Sequence, residues 1–350
     1  MNEQVIGQTI EERGTDMKIE YNANSFKPVY NWLKIPEDVH MWEVTGVAVD
    51  SEDLIYLFGP CEYPLMVFDV HGNCVKKLGK GLFKRPHHIF VDKARGDVLY
   101  CSDDDGHCVK KLTRDGELLM VIGKEGVASN TGCINKDFRT IKRSAGPFNF
   151  PTGAAVSSDG CIFITDGYGN ARVHKFSPEG EHMFSWGQPG DSNGELRVPH
   201  DVVIDKEDVI YVADRENFRI QMFDVNGRFL DKFPVCRPDS ICFDADENIC
   251  IAVLGERTAA QQMFKPPKPG DPEGQWSGFA IYDKSGRQLY WKGEPEGWKH
   301  GNFRAAHGIG TDSEGSVYIG EVIWHSLAQQ FPEPKTFNAR KFITKLERAV

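Results

Sequence analysis

The chain has 350 residues, of which 40% are hydrophobic, so it can bury a sizeable core. Its formal net charge of −10 disfavours a nucleic-acid partner, because such partners require clustered Lys and Arg. No apolar run approaches the length of a membrane span, and the polar segment 1–18 lacks the apolar core of a signal peptide. These features exclude nucleic-acid and membrane partners from the expected function.

Nine cysteines are present, an odd number with no Cys-x-x-Cys pair, and several fall on strand positions that we predict to be buried. Buried unpaired thiols are typical of a reducing compartment, whereas small secreted domains rely on paired disulfides. The sequence therefore predicts free thiols and a cytoplasmic location.

The predicted elements, taken in chain order, repeat a unit made of an apolar stretch ending in Asp or a near substitute, a turn and a second strand. The apolar stretches are 46–50, 88–92, 153–157, 201–205, 240–244 and 308–312. The second strands are 54–58, 98–102, 161–165, 209–213, 249–253 and 317–320. The turns between them carry Asp, Glu, Asn and Gly, which tolerate tight-turn backbone angles.

Third and fourth strands follow in the clearest units, at 172–176 and 182–186 and again at 219–223 and 228–230. Short strands at regular spacing with turns between them indicate an all-β fold. A period of about 40 residues with four strands per unit is typical of a propeller blade, so the sequence predicts a six-bladed β-propeller.

We place this propeller at 44–350, with 1–43 as an N-terminal segment that packs on it. Two long intervals between units, 123–150 and 255–278, are predicted to be loop insertions. The sequence leaves their role open, and it leaves the oligomeric state open as well.

One position of the repeat alternates between histidine and other residues. The residues just before the six apolar stretches are Thr45, His87, Thr152, His200, Asp239 and His307. In a closed ring of six blades the three histidines lie roughly 120° apart around the axis and can meet at it. Three neutral imidazoles with one open position form a catalytic zinc pattern, which another divalent transition metal can also occupy. A single histidine here would favour a hydrogen-bonded turn, but three in alternating blades favour a metal site.

Two neighbours of these histidines are expected to have no ligand role. Asp239 could bind a metal, but its place after Arg237 and Pro238 favours a turn. His88 is expected to alternate away from the channel and to serve packing.

Tyr168 and Arg215 occupy equivalent places after the second strands of units three and four. Glycine on both sides of Tyr168 suggests a tight turn that exposes the ring. Tyr168 could act as a general base and Arg215 could bind a carboxylate through its planar fork. A surface tyrosine and a surface ion pair are the alternatives.

The chain resembles the NHL-repeat propeller of peptidyl-α-hydroxyglycine α-amidating lyase. The runs that carry the resemblance are Pro86-His87, Phe150-Pro151-Thr152, 166–172, Val198-Pro199-His200 and 212–217. The resemblance implies a six-bladed propeller with zinc held by His87, His200 and His307, a catalytic Tyr168 and an active-site Arg215. It also implies a reaction in which a carbinolamide is split into an amide and glyoxylate.

The chain departs from this family at three places. Pro60 stands where the family has a second arginine, and Gly308 stands where an Asp helps to hold a structural calcium. Family cysteines correspond here to Gly169, Tyr211 and Met222. The resemblance therefore does not extend to calcium or to the family disulfides, and it leaves the substrate open.

We expect a metal-dependent lyase that acts on a small α-hydroxy amide or a related α-hydroxy compound. Pro60 leaves a less cationic wall, so a small metabolite is expected rather than a peptide. Two alternatives stay open: a metal-dependent hydrolase or hydratase acting on a lactone or ester, and a non-catalytic NHL propeller that binds a protein partner. Metal content separates the two enzymes from the binding protein.

Overall fold

The computed structural model describes residues 21–22, 24–255, 276–294, 301–322 and 342–349. Within these residues, 24 strands form six four-stranded antiparallel sheets. Each inner strand packs beside the inner strands of the two neighbouring sheets, and the last sheet packs beside the first. The sheets therefore form a closed ring, and the prediction of an all-β, six-bladed propeller is confirmed.

The bounds of the strands follow blade by blade. Blade 1 consists of β2 (Gly46–Val49), β3 (Ile55–Phe58), β4 (Leu65–Phe68) and β5 (Cys74–Leu78). Blade 2 consists of β6 (Pro86–Asp92), β7 (Val98–Asp103), β8 (Cys108–Leu112) and β9 (Leu118–Gly123). Blade 3 consists of β10 (Pro151–Val156), β11 (Ile162–Asp166), β12 (Arg172–Phe176) and β13 (His182–Trp186).

The other half of the ring has the same order. Blade 4 consists of β14 (Pro199–Ile204), β15 (Ile210–Asp214), β16 (Arg219–Phe223) and β17 (Phe229–Pro234). Blade 5 consists of β18 (Pro238–Phe243), β19 (Ile249–Val253), β20 (Gly278–Tyr282) and β21 (Gln288–Gly293). Blade 6 consists of β22 (Ala306–Thr311), β23 (Val317–Glu321), β24 (Ile343–Arg348) and, from the start of the chain, β1 (Phe26–Pro28).

The strands of a blade differ in burial according to their distance from the axis. Every residue of β11 and β15 is buried, because these second strands are covered on both faces by neighbouring blades. The outer strand β13 has exposed and partly exposed residues only. This difference explains why the second strands are continuous apolar runs in the sequence, as buried strands usually are.

The acidic residue that ends several apolar stretches caps the following turn. Asp50 accepts the backbone N–H groups of Glu52 and Leu54 through Oδ1 and the hydroxyl of Tyr56 through Oδ2. Asp205 and Asp312 accept equivalent bonds in blades 4 and 6. The repeated Asp in the sequence thus records a repeated turn rather than a catalytic group.

Strand β1 closes the ring by pairing antiparallel with β24, with Phe26 opposite Arg348. Phe26 is buried, and its ring packs edge-on against Phe279 of blade 5 at a centroid distance of 5.1 Å. Residues from the beginning and the end of the chain therefore share one blade.

The first predicted insertion contains no strand between 124 and 150, where the structure has one short 3₁₀ helix, Phe138–Thr140. The second falls mostly on residues 256–275, which lie outside the described residues. In the part of the chain that the structure describes, no helix is both long and apolar enough to cross a membrane.

Candidate metal centre and active site

The inner strands of blades 2 to 6 begin with a β-bulge. In blade 2 the pairing register shifts between Pro86 and His88, and it shifts at the matching place in the other four blades. A bulge adds one residue to a strand and bends it, so consecutive side chains no longer alternate strictly between faces. Both His87 and His88 therefore reach the channel, and the prediction that His88 points away from it is wrong.

The structure brings His87, His200 and His307 together on the axis, all buried. Their candidate ligand atoms lie within 4.8 Å of one another. The ring centroids are 4.9 Å apart for His87 and His200, 5.0 Å for His87 and His307, and 4.8 Å for His200 and His307. The three rings face one another nearly edge to face, and their candidate ligand atoms lie close enough together to hold one ion.

The odd-numbered blades orient these imidazoles. The Nδ1 atoms of His87, His200 and His307 lie 2.8, 2.9 and 2.6 Å from the backbone carbonyl oxygens of Thr152, Asp239 and Thr45. A carbonyl oxygen can only accept, so each Nδ1 carries the proton and each Nε2 keeps its lone pair. The residues that alternate with histidine in the sequence thus set the tautomer of the histidines.

Burial keeps the three imidazoles neutral. It lowers the pKa of His87 well below its usual value, and His307 and Arg85 lower it further. Burial likewise lowers the pKa of His200, with Arg215 next in effect, and the pKa of His307. Neutral imidazoles with free Nε2 atoms are the donor set that zinc takes in catalytic sites, so these residues fit a divalent transition metal.

Buried carboxylates hold the segments that lead into the three histidine strands. Asp103 accepts the backbone N–H groups of Lys84 and Arg85, and Asp214 accepts that of Arg197. Glu321 accepts those of Arg304 and Ala305 in blade 6. Each carboxylate ends the second strand of its blade and fixes the backbone two or three residues before a histidine. Sequence reasoning missed this role.

Tyr168 lies directly against the histidines. Its hydroxyl is 3.0 Å from Nε2 of His87 and 2.9 Å from Nε2 of His200. Since both nitrogens carry lone pairs, the hydroxyl donates to one of them at a time. Burial raises the pKa of Tyr168 to about 12, while the guanidinium of Arg215 acts in the opposite direction. The side chain is only partly buried, so part of it is exposed to solvent.

Arg215 approaches Tyr168 from blade 4. Its Cζ lies 5.5 Å from the centre of the Tyr168 ring. Its NH1 group donates to Oδ1 of Asp239 at 3.1 Å, and its Nε donates to Glu216 at 2.9 Å. Asp239 is fully buried and also accepts from Nδ1 of His200, so it positions both groups and is not part of the metal-ligand group.

Two cations near Tyr168 could not be predicted from the repeat pattern of the sequence. Arg85 donates to the buried Asp104, and its charge acts on both Tyr168 and His87. Lys136, from the first insertion, donates to the same Asp104 oxygen at 3.0 Å and lies 5.8 Å from the Tyr168 ring centre. Arg85 lies two residues before His87 and just ahead of β6, and no repeat position marks it as a site residue.

The layer beneath the histidines does not fit a structural calcium. Gly308 offers no side chain there, and a Cβ atom on it would lie 2.8 Å from the backbone N of Val47. Asp201 offers a carboxylate, but Oδ1 accepts the Val202 N–H and Oδ2 accepts the Ile241 N–H. Oδ2 also lies 3.1 Å from Nε2 of His88 across the channel. Protein groups therefore already occupy the oxygens that calcium would need.

One further acidic group carries its own counterion. Asp103, Cys108 and Glu125 lie close enough together to hold a cation. The ammonium group of Lys110 lies 3.2 Å from Asp103 and 3.0 Å from Glu125, so a protein cation already occupies this cluster. All nine cysteines lie in the described residues as free thiols.

The chain resembles known proteins in its repeats, in its sequence and in its fold. The NHL repeat model matches residues 148–176 and 196–223. The chain is 30% identical over 257 residues to NHL repeat-containing protein 3 of Homo sapiens, covering 67% of this chain and 69% of that protein. A streptogramin B lyase structure aligns with a TM-score of 0.55 at 12% identity over 93% of this chain and 98% of that one, a likeness of fold alone.

Other relatives carry amidating activities in their names. The chain is 30% identical over 338 residues to peptidyl-glycine alpha-amidating monooxygenase A of Xenopus laevis, covering 88% of this chain but 31% of that protein. It is 32% identical over 168 residues to peptidyl-alpha-hydroxyglycine alpha-amidating lyase 1 of Drosophila melanogaster, covering 44% of this chain and 28% of that protein. The chain thus spans about a third or less of the length of these two relatives.

Proposed function

Because the chain belongs to the NHL-repeat family of β-propellers, whose relatives include amidating lyases, we propose that it is a metal-dependent lyase. Its substrate is a small α-hydroxy amide, which it cleaves to an amide and a carbonyl product. The observation that carries this proposal is the Tyr168 hydroxyl, held within 3.0 Å of the Nε2 atoms of two metal-ligand candidates. A proton acceptor and a Lewis-acid position then lie within reach of one substrate hydroxyl.

His87, His200 and His307 hold the metal, which we propose to be zinc. When bound, the cation polarises a substrate oxygen and lowers the pKa of nearby hydroxyl groups, including that of Tyr168. The carbonyl groups of Thr45, Thr152 and Asp239 keep the three imidazoles in the ligating tautomer.

Tyr168 moves the proton. As phenolate it accepts the proton of the substrate hydroxyl, the C–O pair forms a carbonyl, and the C–N bond breaks with its electrons on nitrogen. Tyr168 then returns the proton to the departing amide nitrogen, so atoms and charge balance and no external oxidant or reductant is needed. Its position against two imidazoles brings it close to the substrate hydroxyl.

Arg215 holds an anionic group of the substrate. Asp239 and Glu216 each accept one bond from its guanidinium, which fixes the direction of the remaining N–H groups. Arg215 lies on the blade-4 side of Tyr168, so a carboxylate bound to it places the neighbouring α-carbon towards the phenol.

The test measures carbonyl release by the zinc-loaded protein from a panel of compounds. The panel contains acylated α-hydroxyglycine, neutral α-hydroxy amides, α-hydroxy acids and, as the competing chemistry, lactones and esters. Turnover of an α-hydroxy amide with a kcat/KM of at least about 10⁴ M⁻¹s⁻¹ supports the proposal. Hydrolysis of a lactone or ester at that efficiency, without release from any α-hydroxy amide, overturns it in favour of a hydrolase.

A further inference from the structure

The residue two positions before each inner-strand histidine differs in charge among the three histidine blades. In blades 4 and 6 this position holds Val198 and Ala305, which are apolar. In blade 2 it holds Arg85, which lies just ahead of β6 and whose charge acts on both His87 and Tyr168. Among the three histidine blades, only blade 2 therefore carries a cation at this position.

Arg85 and Lys136 share a buried counterion. Both donate to Oδ2 of Asp104, whose side chain is 0% exposed, whereas those of Arg85 and Lys136 are 23% and 28% exposed. The carboxylate is thus more buried than the two cations that it orients, and both cations keep part of their side chains exposed. Lys136 also contacts the exposed Asp105 at 2.6 Å.

The same arrangement is found on the other side of Tyr168. Arg215 is 12% exposed and is backed by Asp239, which is 0% exposed. The Cζ of Arg215 and the Nζ of Lys136 lie 5.5 and 5.8 Å from the centre of the Tyr168 ring. Because Tyr168 comes from blade 3, between blades 2 and 4, cations backed by buried acids flank the phenol on both sides.

We infer that Arg85 and Lys136 form a second anion-binding position, and that the substrate is an α-hydroxy compound with two anionic groups. One group binds Arg215 and the other binds Arg85 and Lys136, with the hydroxyl-bearing carbon between them at Tyr168. This inference rests on the proposed function for the identity of the hydroxyl-bearing carbon. It replaces the less cationic wall expected from Pro60, because the second positive charge comes from Arg85 and Lys136 rather than from blade 1.

The test compares the binding of two small probes to the zinc-loaded protein by calorimetry. Glycolate has one carboxylate and an α-hydroxyl, and tartronate has a second carboxylate on the same carbon. A charge-assisted contact changes affinity by about ten- to a hundred-fold, so tartronate should bind more tightly than glycolate by about that factor. Zinc content is measured after each titration to exclude extraction of the metal.

Substitutions of Arg85 and Lys136 test whether these two residues cause the preference for tartronate over glycolate. Arg85→Leu and Lys136→Met should each reduce tartronate affinity by about ten-fold and leave glycolate affinity nearly unchanged. Lys136 still balances Asp104 in Arg85→Leu, and Arg85→Lys should retain part of the preference because it keeps the charge. The matched control is Arg143→Leu, an exposed guanidinium on the same insertion, which should change neither affinity.

Equal affinity for both probes in the wild type overturns the inference. So does a tartronate preference that persists unchanged in Arg85→Leu and Lys136→Met, because chelation of zinc alone then explains it. Failure of the proposed function gives a different result. If tartronate is preferred in an Arg85-dependent way but no α-hydroxy amide is turned over, the anion-binding position is supported and the proposed lyase activity is rejected.

Discussion

At the scale of single residues, the Tyr168 hydroxyl is the group whose removal tests the chemistry. Tyr168→Phe keeps the ring that packs against His87 and His200 but removes the proton acceptor. We expect turnover to fall by about 10²-fold or more, as for loss of a general base, while metal content stays the same. Steady-state kinetics measure the turnover, and elemental analysis measures the metal content. Near-wild-type turnover would leave Tyr168 as a wall of the site.

The sequence predicted the residues that obey the repeat and missed those that do not. His87, His200 and His307 share one register position, so a closed ring had to bring them together. Arg85 and Lys136 occur once each, and nothing in the periodicity distinguishes them from surface cations. His88 was assigned to the wrong face because strict alternation fails at a bulge, which depends on backbone pairing rather than on residue type.

At the scale of elements, Asp214 at the end of β15 connects this strand to the segment that leads to His200. It accepts bonds from the Arg197 N–H, from Nε of Arg219 and from the side chains of Asn217 and Gln221. Asp214→Ala removes the counterion of the buried Arg219 guanidinium, and we expect it to lower the free energy of unfolding by about 3 kcal/mol. Urea denaturation measures this change.

The control for Asp214→Ala changes an exposed acid in the segment that leads to His200. Asp191, which is 69% exposed, pairs with Arg197 at 3.1 Å, and Asp191→Ala should cost less than about 1 kcal/mol. If both variants lose the same small stability, the buried carboxylates do not hold the segments before the histidines.

Strand positions were largely predictable because buried strands are short apolar runs between turns. The predicted strands 172–176, 182–186, 219–223 and 249–253 agree with the observed bounds. The pairing of β1 with β24 was not predictable, because it joins residues more than 300 positions apart and leaves no local pattern.

At the scale of the whole molecule, Phe26 tests the closure of the ring. It is 5% exposed and packs against Phe279 and Tyr290 of blade 5. Phe26→Ala removes a buried aromatic ring, and we expect it to lower the free energy of unfolding by about 3 kcal/mol or more. The matched control is Leu119→Ala on β9, which is 53% exposed and should have little effect. Equal effects of the two changes would mean that β1 contributes nothing to closure.

The central claim is that the closed ring of blades holds His87, His200 and His307 where they bind one metal ion. Elemental analysis of the purified protein measures it most directly, for the wild type, for His87→Ala, His200→Ala and His307→Ala, and for the exposed control His71→Ala. We expect about one divalent metal per chain, proposed to be zinc, in the wild type and in the control, and a strong loss in each of the three variants. Stoichiometric metal that survives all three single changes would contradict the account.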